Sequence, residues 1–162
     1  MIRSMKDTEA ISFFMPMKDV PTVTHQEKRS KVVKNGETQK VIYYEGERLK
    51  EARSLFKACL MEYGKERLPD VPLRCGVRLM VKWMFPIKAK KGKYGIRKPG
   101  QFKATKPDTD NLQKLLKDCM TEVGIWEDDC LVVSEVVEKI WAEEGKSGIY
   151  VMIVPLPDEA YS

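Results

Sequence analysis

Residues 109–123 of the sequence read Thr-Asp-Asn-Leu-Gln-Lys-Leu-Leu-Lys-Asp-Cys-Met-Thr-Glu-Val. Apolar side chains recur within them at the spacing that places side chains on one face of an α-helix, at Leu112, Leu115, Leu116 and Cys119. Gly124 comes next, and glycine readily adopts the left-handed backbone that ends many helices. The stretch therefore predicts an amphipathic helix whose apolar face packs on a sheet.

Strands are predicted on both sides of this helix. Alternating apolar residues indicate a long strand over 73–85, and strand-forming residues indicate others over 11–15, 131–141 and 149–154. Apolar residues at helical spacing predict a further helix over 47–65, and Asn35-Gly36 marks a hairpin with arms at 31–33 and 40–44. The order strand, helix, strand, helix, strand, strand predicts an α+β fold, with two main helices packed on a mixed β-sheet.

The chain of 162 residues is predicted to form a single domain over 1–162. Its longest apolar runs have the length of strands and fall short of the ~18 residues that indicate a membrane helix. Asp7 and Glu9 lie where an export signal would be basic and then apolar, so we expect a cytoplasmic protein. In that compartment, widely spaced cysteines are predicted to be reduced, buried thiols: Cys59, Cys75, Cys119 and Cys130.

Positive charge is concentrated in one segment. The chain has 29 Lys and Arg against 24 Asp and Glu, but residues 86–106 alone contribute +8 and contain no acid. Glycines and prolines in this segment predict a long flexible loop. A polyanion is the natural partner because each lysine near a phosphate releases a condensed counterion, and Tyr94 and Phe102 are suited to stack on bases. The alternative is a solvated loop without a partner.

Acidic residues form a second concentration of charge. Asp108 precedes the predicted helix, and at about 100° per residue Asp110, Lys114 and Asp118 fall within roughly 80° on its polar face. Asp128-Asp129 begins the next predicted strand. We expect this pair to return toward the same face, so that the carboxylates lie close together.

Carboxylates that are close together repel one another, so they either take up protons or bind a cation. Mg²⁺ is bound in proteins by one or two carboxylates together with waters and substrate phosphates. Beside a basic loop that holds a phosphodiester, such a site suits metal-assisted hydrolysis of that phosphodiester. Simpler interpretations stay open: Asp108 and Asp110 as helix caps, Asp110 and Gln113 as a capping box, and Asp128-Asp129 as a turn.

Other catalytic motifs are absent from the sequence. His25 is its only histidine, which excludes an H-E-x-x-H metalloenzyme, and we interpret it as a surface or phosphate-contacting residue. There is no G-x-S-x-G element, Walker A loop or dinucleotide-binding glycine pattern. The charged segments therefore carry the functional signal.

The pattern Lys106-Pro-Asp-x-Asp-Asn-Leu-x-Lys-x-x-x-Asp118, followed by Trp126-x-Asp-Asp129, resembles the RusA-like Holliday junction resolvases, which occur in bacteria and prophages. The resemblance extends to Glu135-x-x-Glu-Lys139 and, more weakly, to Pro21-Thr-Val-Thr-His-Gln-Glu-Lys28 and Val81-Lys-Trp-x-Phe-Pro86. It implies a homodimeric, Mg²⁺-dependent endodeoxyribonuclease that nicks two strands of a four-way junction symmetrically, in DNA recombination and repair.

By position, the resemblance assigns catalytic, metal-associated roles to Asp108, Asp110 and Asp129. It assigns Lys114 a catalytic role, and it makes Asp118 and Asp128 further candidate metal ligands. We expect DNA phosphates to be contacted by basic and polar side chains: Lys88, Lys90, Lys91, Lys93, Arg97, Lys98, Lys103, Lys106, His25, Gln26 and Lys28. Two alternatives stay open: a nuclease for flaps or other branched DNA, and a DNA-binding protein without catalytic activity.

Overall fold

The structure is a computed structural model, and it describes residues 9–22 and 28–162. Its strands and helices in chain order are β1 (Ile11–Pro16), β2 (Lys28–Asn35), β3 (Thr38–Glu45), α1 (Glu47–Gly64), β4 (Val77–Phe85), β5 (Lys91–Gly92), β6 (Gly95–Ile96), α2 (Thr109–Glu122), β7 (Val132–Trp141) and β8 (Gly148–Pro155). Short 3₁₀ turns lie at Asp129–Leu131 and Asp158–Ala160.

The central sheet has four strands in the order β1-β8-β4-β7. β8 pairs antiparallel with β1 and with β4, whereas β4 and β7 run parallel. A parallel pair needs a crossover connection, and α2 lies in the segment that supplies it. The predicted α+β fold, with a mixed sheet and two main helices, is confirmed.

The core lies between one face of the sheet and the two helices. Alternate residues of β4 point into it, as the two-residue period of a strand requires. Trp83 is fully buried there: its ring meets Phe56 of α1 edge to face at 5.9 Å, and its indole N–H donates to Gln113 Oε1 of α2 at 2.7 Å. The predicted apolar face of α2 is buried at Leu112, Leu115, Leu116 and Cys119.

Several strand boundaries differ from the predictions. β4 begins at Val77, because Leu73 forms only a single bridge with Trp126 and donates its N–H to the carbonyl of Ile125 at 2.9 Å. β7 begins after the 3₁₀ turn Asp129–Leu131. The predicted hairpin is present as β2 and β3, with arms of eight residues each, longer than expected.

The basic segment 86–106 contains more backbone pairing than predicted. It contains the short hairpin β5–β6. Its later part follows the edge of β7: the N–H of Gly100 donates to Trp141 O at 2.8 Å, and the N–H of Lys103 donates to Lys139 O at 2.8 Å. The segment is thus a loop, as predicted, but it contains a short hairpin, and its later part finds backbone partners on the outer edge of β7.

The parallel arrangement of β4 and β7 decides where the two ends of α2 lie. Val77 pairs with Val132, and Phe85 pairs with Trp141. The connection leaves the sheet at the end of β4 and must return to the start of β7, at the opposite end of the sheet. α2 has 14 residues, which at about 1.5 Å each span roughly 20 Å.

The four cysteines are largely placed as predicted. All four cysteines are free, and Cys59, Cys75 and Cys119 are buried as expected. Cys130 is exposed, which corrects the prediction for that residue, because it lies in the surface turn before β7. Neither helix of the described residues is long and apolar enough to cross a membrane.

Candidate DNA cleavage site

The first pair of predicted acids lies at the N-terminal end of α2. Asp108 occupies the N-cap position, but its side chain makes no capping hydrogen bond. Both of its carboxylate oxygens instead accept from Lys106 Nζ, at 2.8 Å each. Asp110 lies exposed in the first helical turn, and Lys114 lies exposed one turn later. Capping therefore does not explain the Asp108 side chain, and Asp110 and Lys114 face solvent together.

The rotation of α2 on the sheet is fixed by a buried amide. Gln113 is 2% exposed and accepts the indole N–H of Trp83. Its own amide donates to Glu135 Oε1 on β7 at 3.0 Å, and Glu135 also accepts from Lys117 Nζ at 2.9 Å. Gln113 is thus not part of a capping box with Asp110. It locks α2 to β4 and β7 with the polar face outward.

The backbone just before Asp108 is held by Lys139 of β7. Its ammonium group donates to the carbonyl oxygens of Thr105 and Pro107, at 2.7 Å each. Partial burial lowers the pKa of Lys139. The negative charge of Asp108 acts to raise this pKa, and the positive charge of Lys106 acts to lower it further. The resemblance included Lys139 in its motif without assigning it a role. The structure places it where it fixes the turn that carries Asp108.

A second lysine holds the same turn from the basic segment. Lys103 Nζ donates to Thr105 Oγ1 and to the carbonyl of Lys106, at 2.5 Å each, and it lies 4.9 Å from the ring centre of Trp141. Burial lowers the pKa of Lys103, and the positive charges of Lys139 and Arg97 add to this. The sequence predicted a phosphate contact for Lys103, whereas in the structure its ammonium group has internal partners.

Arg97 also has an internal position. Its guanidinium carbon lies 4.5 Å from the ring centre of Trp141, and Nη1 donates to the carbonyl of Ala89 at 3.2 Å. Its backbone N–H donates to Lys90 O at 2.7 Å. Arg97 therefore fastens the short hairpin β5–β6 to the end of β7.

The remaining basic residues of the segment are exposed. Lys88 pairs with Asp19 at 2.6 Å, and Lys106 pairs with Asp108. Four lysines form no ion pair with a described side chain: Lys90, Lys91, Lys93 and Lys98. Of the other predicted DNA contacts, His25 and Gln26 lie outside the described residues, and Lys28 begins β2 with a side chain that is likewise not described.

At the other end of α2, Asp128 and Asp129 behave differently from each other. The Asp128 carboxylate accepts the backbone N–H of Cys130 at 2.9 Å, and this hydrogen bond lowers the pKa of Asp128. Asp128 thus caps the 3₁₀ turn, as the turn interpretation predicted. Asp129 is exposed at the first position of that turn. Trp126 anchors the preceding segment through its indole N–H, which donates to Thr121 Oγ1 at 2.8 Å.

The expectation that both acidic groups lie close together is wrong within one chain. Asp108 follows Pro107, whose carbonyl binds Lys139 near the end of β7, and Asp110 lies in the next helical turn, whereas Asp128-Asp129 lies just before the start of β7. The helix between them spans roughly 20 Å. Asp118 lies half-buried within α2. In residues 9–22 and 28–162, no group of three or more acidic, histidine or cysteine side chains is placed to hold a metal ion.

The sequence matches the family Endodeoxyribonuclease RusA over residues 20–154. The chain belongs to the RusA endodeoxyribonuclease family. Members of this family are Holliday junction endonucleases that act on branched DNA junctions, and they generally depend on a divalent metal. No curated protein matches the sequence.

The carboxylates of this RusA-family chain suit a hard divalent cation in their chemistry. Mg²⁺ takes oxygen ligands, and one or two carboxylates suffice where waters and substrate phosphates complete its shell. Asp108 and Asp110 supply two carboxylates at one helix end, where the N-terminal dipole favours negative charge. Asp129 supplies a third carboxylate, at the opposite end of α2. The residues fit the metal in type, and within one chain they lie in two separate groups.

Proposed function

We propose that this protein resolves four-way DNA junctions in recombination and repair, in the cytoplasm, by Mg²⁺-dependent nicking of two symmetric strands. The observation that carries the proposal is the N-terminal end of α2, where Asp108 and Asp110 face solvent beside the basic segment. A carboxylate pair next to exposed lysines can hold a cation and the phosphodiester that it acts on.

The proposed active form is a two-fold homodimer. In one chain, Asp129 is too far from Asp108 and Asp110 to share an ion with them, because α2 separates them by roughly 20 Å. A two-fold axis repeats each of these two acidic groups, which we call half-sites. We propose that it sets Asp129 of the partner subunit opposite Asp108 and Asp110, so that the dimer forms two complete sites for two equivalent strands.

Each residue near the site has a proposed task. When bound, Mg²⁺ would lower the pKa of a coordinated water and stabilise the leaving oxygen. Lys114 lies exposed one helical turn beyond Asp110, where its charge can compensate negative charge that develops on the phosphate. Lys106 now occupies both oxygens of Asp108. We propose that it exchanges this carboxylate for a DNA phosphate when the substrate binds, which frees Asp108 as a ligand.

A panel of labelled DNAs tests the function. Four-way junctions, flaps and linear duplexes of matched length are incubated with Mg²⁺ or with EDTA. We expect paired nicks at symmetric positions in the junction with Mg²⁺ only. Flap cleavage without junction cleavage would instead identify a nuclease for other branches. Junction binding without cleavage in either condition would identify a DNA-binding protein.

Mixed dimers test the shared site. Asp110→Asn and Asp129→Asn chains, each inactive alone, are co-expressed with different tags and purified as the heterodimer. If sites are shared, one site of the heterodimer carries both substitutions and the other is intact, so single-strand nicking returns. If each site lies within one chain, activity stays absent. Heterodimers of Asp108→Asn with Asp110→Asn are the control, because both residues belong to the same half-site and no activity should return.

A further inference from the structure

The tip of the basic segment exposes large apolar side chains. Tyr94 is 70% exposed, Ile96 67% and Phe102 71%. Together with Arg97 and Trp141, they line a shallow depression of about 80 Å³. Large apolar side chains clustered on a surface indicate an interaction site, and the task of these three is not explained by phosphate binding. We call Tyr94, Ile96 and Phe102 the apolar tip.

The apolar tip is held in place by backbone pairing. Tyr94 lies in the two-residue turn between β5 and β6, and Ile96 pairs with Lys91 across that hairpin. Phe102 forms a backbone bridge with Ile140 of β7. The backbone N–H of the neighbouring Trp141 donates to the backbone carbonyl of Gln101 at 2.9 Å. Phe102 is therefore carried by an extension of the central sheet, and Tyr94 by the separate hairpin β5–β6.

The apolar tip lies at the same end of the sheet as the first carboxylate pair. The depression that it lines also includes Ala104 and Thr105. Thr105 comes three residues before Asp108 in the chain, and its carbonyl is one of the two that Lys139 binds. The depression therefore lies within three residues of Asp108 along the chain.

The charge around the apolar tip selects its partner. Lys93 lies over the ring of Tyr94, 5.3 Å from its centre, and the whole segment 86–106 contains basic residues without an acid. This charge favours a polyanion over a neutral or basic protein surface. In a polyanion, the group that an exposed aromatic ring binds is the flat face of a base.

We propose that the apolar tip is a stacking site for unstacked nucleobases at the branch point of DNA. Bases inside a continuous duplex are covered on both faces by their neighbours, so only a branch, gap or single strand offers a free face to Tyr94 or Phe102. The tip then recognises the branch, while the lysines bind any DNA. This inference rests on the proposed function, since it places the branch beside the cleavage site.

The test uses a four-way junction with 2-aminopurine at the branch point, and a matched duplex with 2-aminopurine at a paired position. Both are titrated with the full-length protein in EDTA, so that no strand is cut. We expect the wild-type protein to change the fluorescence of the junction probe and to leave the duplex probe unchanged. Tyr94→Ala and Phe102→Ala should each weaken junction binding by about 5-fold to 100-fold, with duplex affinity unchanged.

Controls separate stacking from other effects. Phe102→Trp keeps a flat ring and should retain the fluorescence change. Tyr43→Ala removes an equally exposed ring on β3, outside the basic segment, and should have no effect. The proposal is overturned if the alanine variants bind junction and duplex with equal loss, if they bind both like the wild type, or if they change the oligomeric state, which would identify a contact between copies of the chain.

The outcomes also distinguish this inference from the proposed function. If the wild-type protein cleaves junctions with Mg²⁺ while the alanine variants bind and cut them equally well, the stacking site is wrong and the nuclease remains. If the wild-type protein changes the junction probe but cuts no DNA, the stacking site stands and the nuclease proposal fails.

Discussion

At its N-terminal end, α2 presents Asp108 and Asp110 from a turn whose carbonyl groups are bound by Lys103 and Lys139. At its other end, the Asp128 carboxylate closes a turn while Asp129 stays exposed. At the first end, ammonium groups fix the backbone of the turn. At the second end, a carboxylate fixes it. Adjacent acidic residues in a motif can therefore have different tasks.

The largest expected effect separates the two acids of the second end. Asp129→Asn should reduce junction cleavage by about 10³-fold, as the loss of a metal-bound carboxylate is expected to do, while junction binding in EDTA is retained. Asp128→Asn should keep most of the activity, because an amide oxygen still accepts the N–H of Cys130. Single-turnover cleavage at saturating protein measures both. Equal losses would show that Asp128 has more than a capping role.

At the first end, Lys139→Met should displace the turn that carries Asp108. We expect cleavage to fall by about 10-fold to 100-fold, since small displacements of catalytic groups cost rates of this order. Half-maximal activity should also need more Mg²⁺, whereas duplex binding should be unaffected. Lys82→Met is a matched control, because Lys82 is a half-exposed lysine of β4 whose ammonium group pairs with the Glu138 side chain. A Lys139→Met protein with normal Mg²⁺ dependence would contradict the positioning role.

The exposed lysines next to the first end should contribute affinity without specificity. Replacing Lys90, Lys91, Lys93 and Lys98 by serine should lower the slope of log binding constant against log salt by up to about 3.6. The loss should be the same for junction and duplex DNA. Lys31→Ser with Lys40→Ser on the hairpin β2–β3 gives a control that removes exposed charge elsewhere. An unchanged slope would place the DNA on another surface.

The smallest effect concerns the thiol at the second end. Asp128 raises the pKa of Cys130 above its ordinary value of 9.0. A raised pKa keeps the exposed thiol protonated at neutral pH, so its reaction with a disulfide reagent should be slow and should accelerate as the pH rises past 9. Asp128→Asn should lower this pKa and speed up labelling at pH 8. A rate that the substitution leaves unchanged would show that the carboxylate does not act on the thiol.

The amphipathic character of α2 was predictable because its apolar side chains repeat at helical spacing, and the Asn35-Gly36 turn has a local signature. The separation of Asp108 from Asp129 was not predictable from the sequence. It follows from the parallel pairing of β4 and β7, which depends on contacts distant in sequence.

The hydrogen-bond partners of polar side chains inside the fold could not be predicted from the sequence either. Gln113 has the spacing of a capping residue, yet the buried indole of Trp83 determines its position. Lys103 is indistinguishable in sequence from the exposed lysines around it. Only the placement of Trp141 and of the turn before Asp108 shows that its ammonium group is used within the fold.

The pairing of residues 100–103 with β7 has a practical consequence for dissecting this protein. β7 is an outer strand, and those residues cover the backbone of its last part. Unprotected strand edges template pairing between chains and cause aggregation. Deleting the whole basic segment would therefore expose the edge of β7 and favour aggregation. Loss of DNA binding by such a truncated protein could then result from aggregation as well as from the loss of DNA contacts.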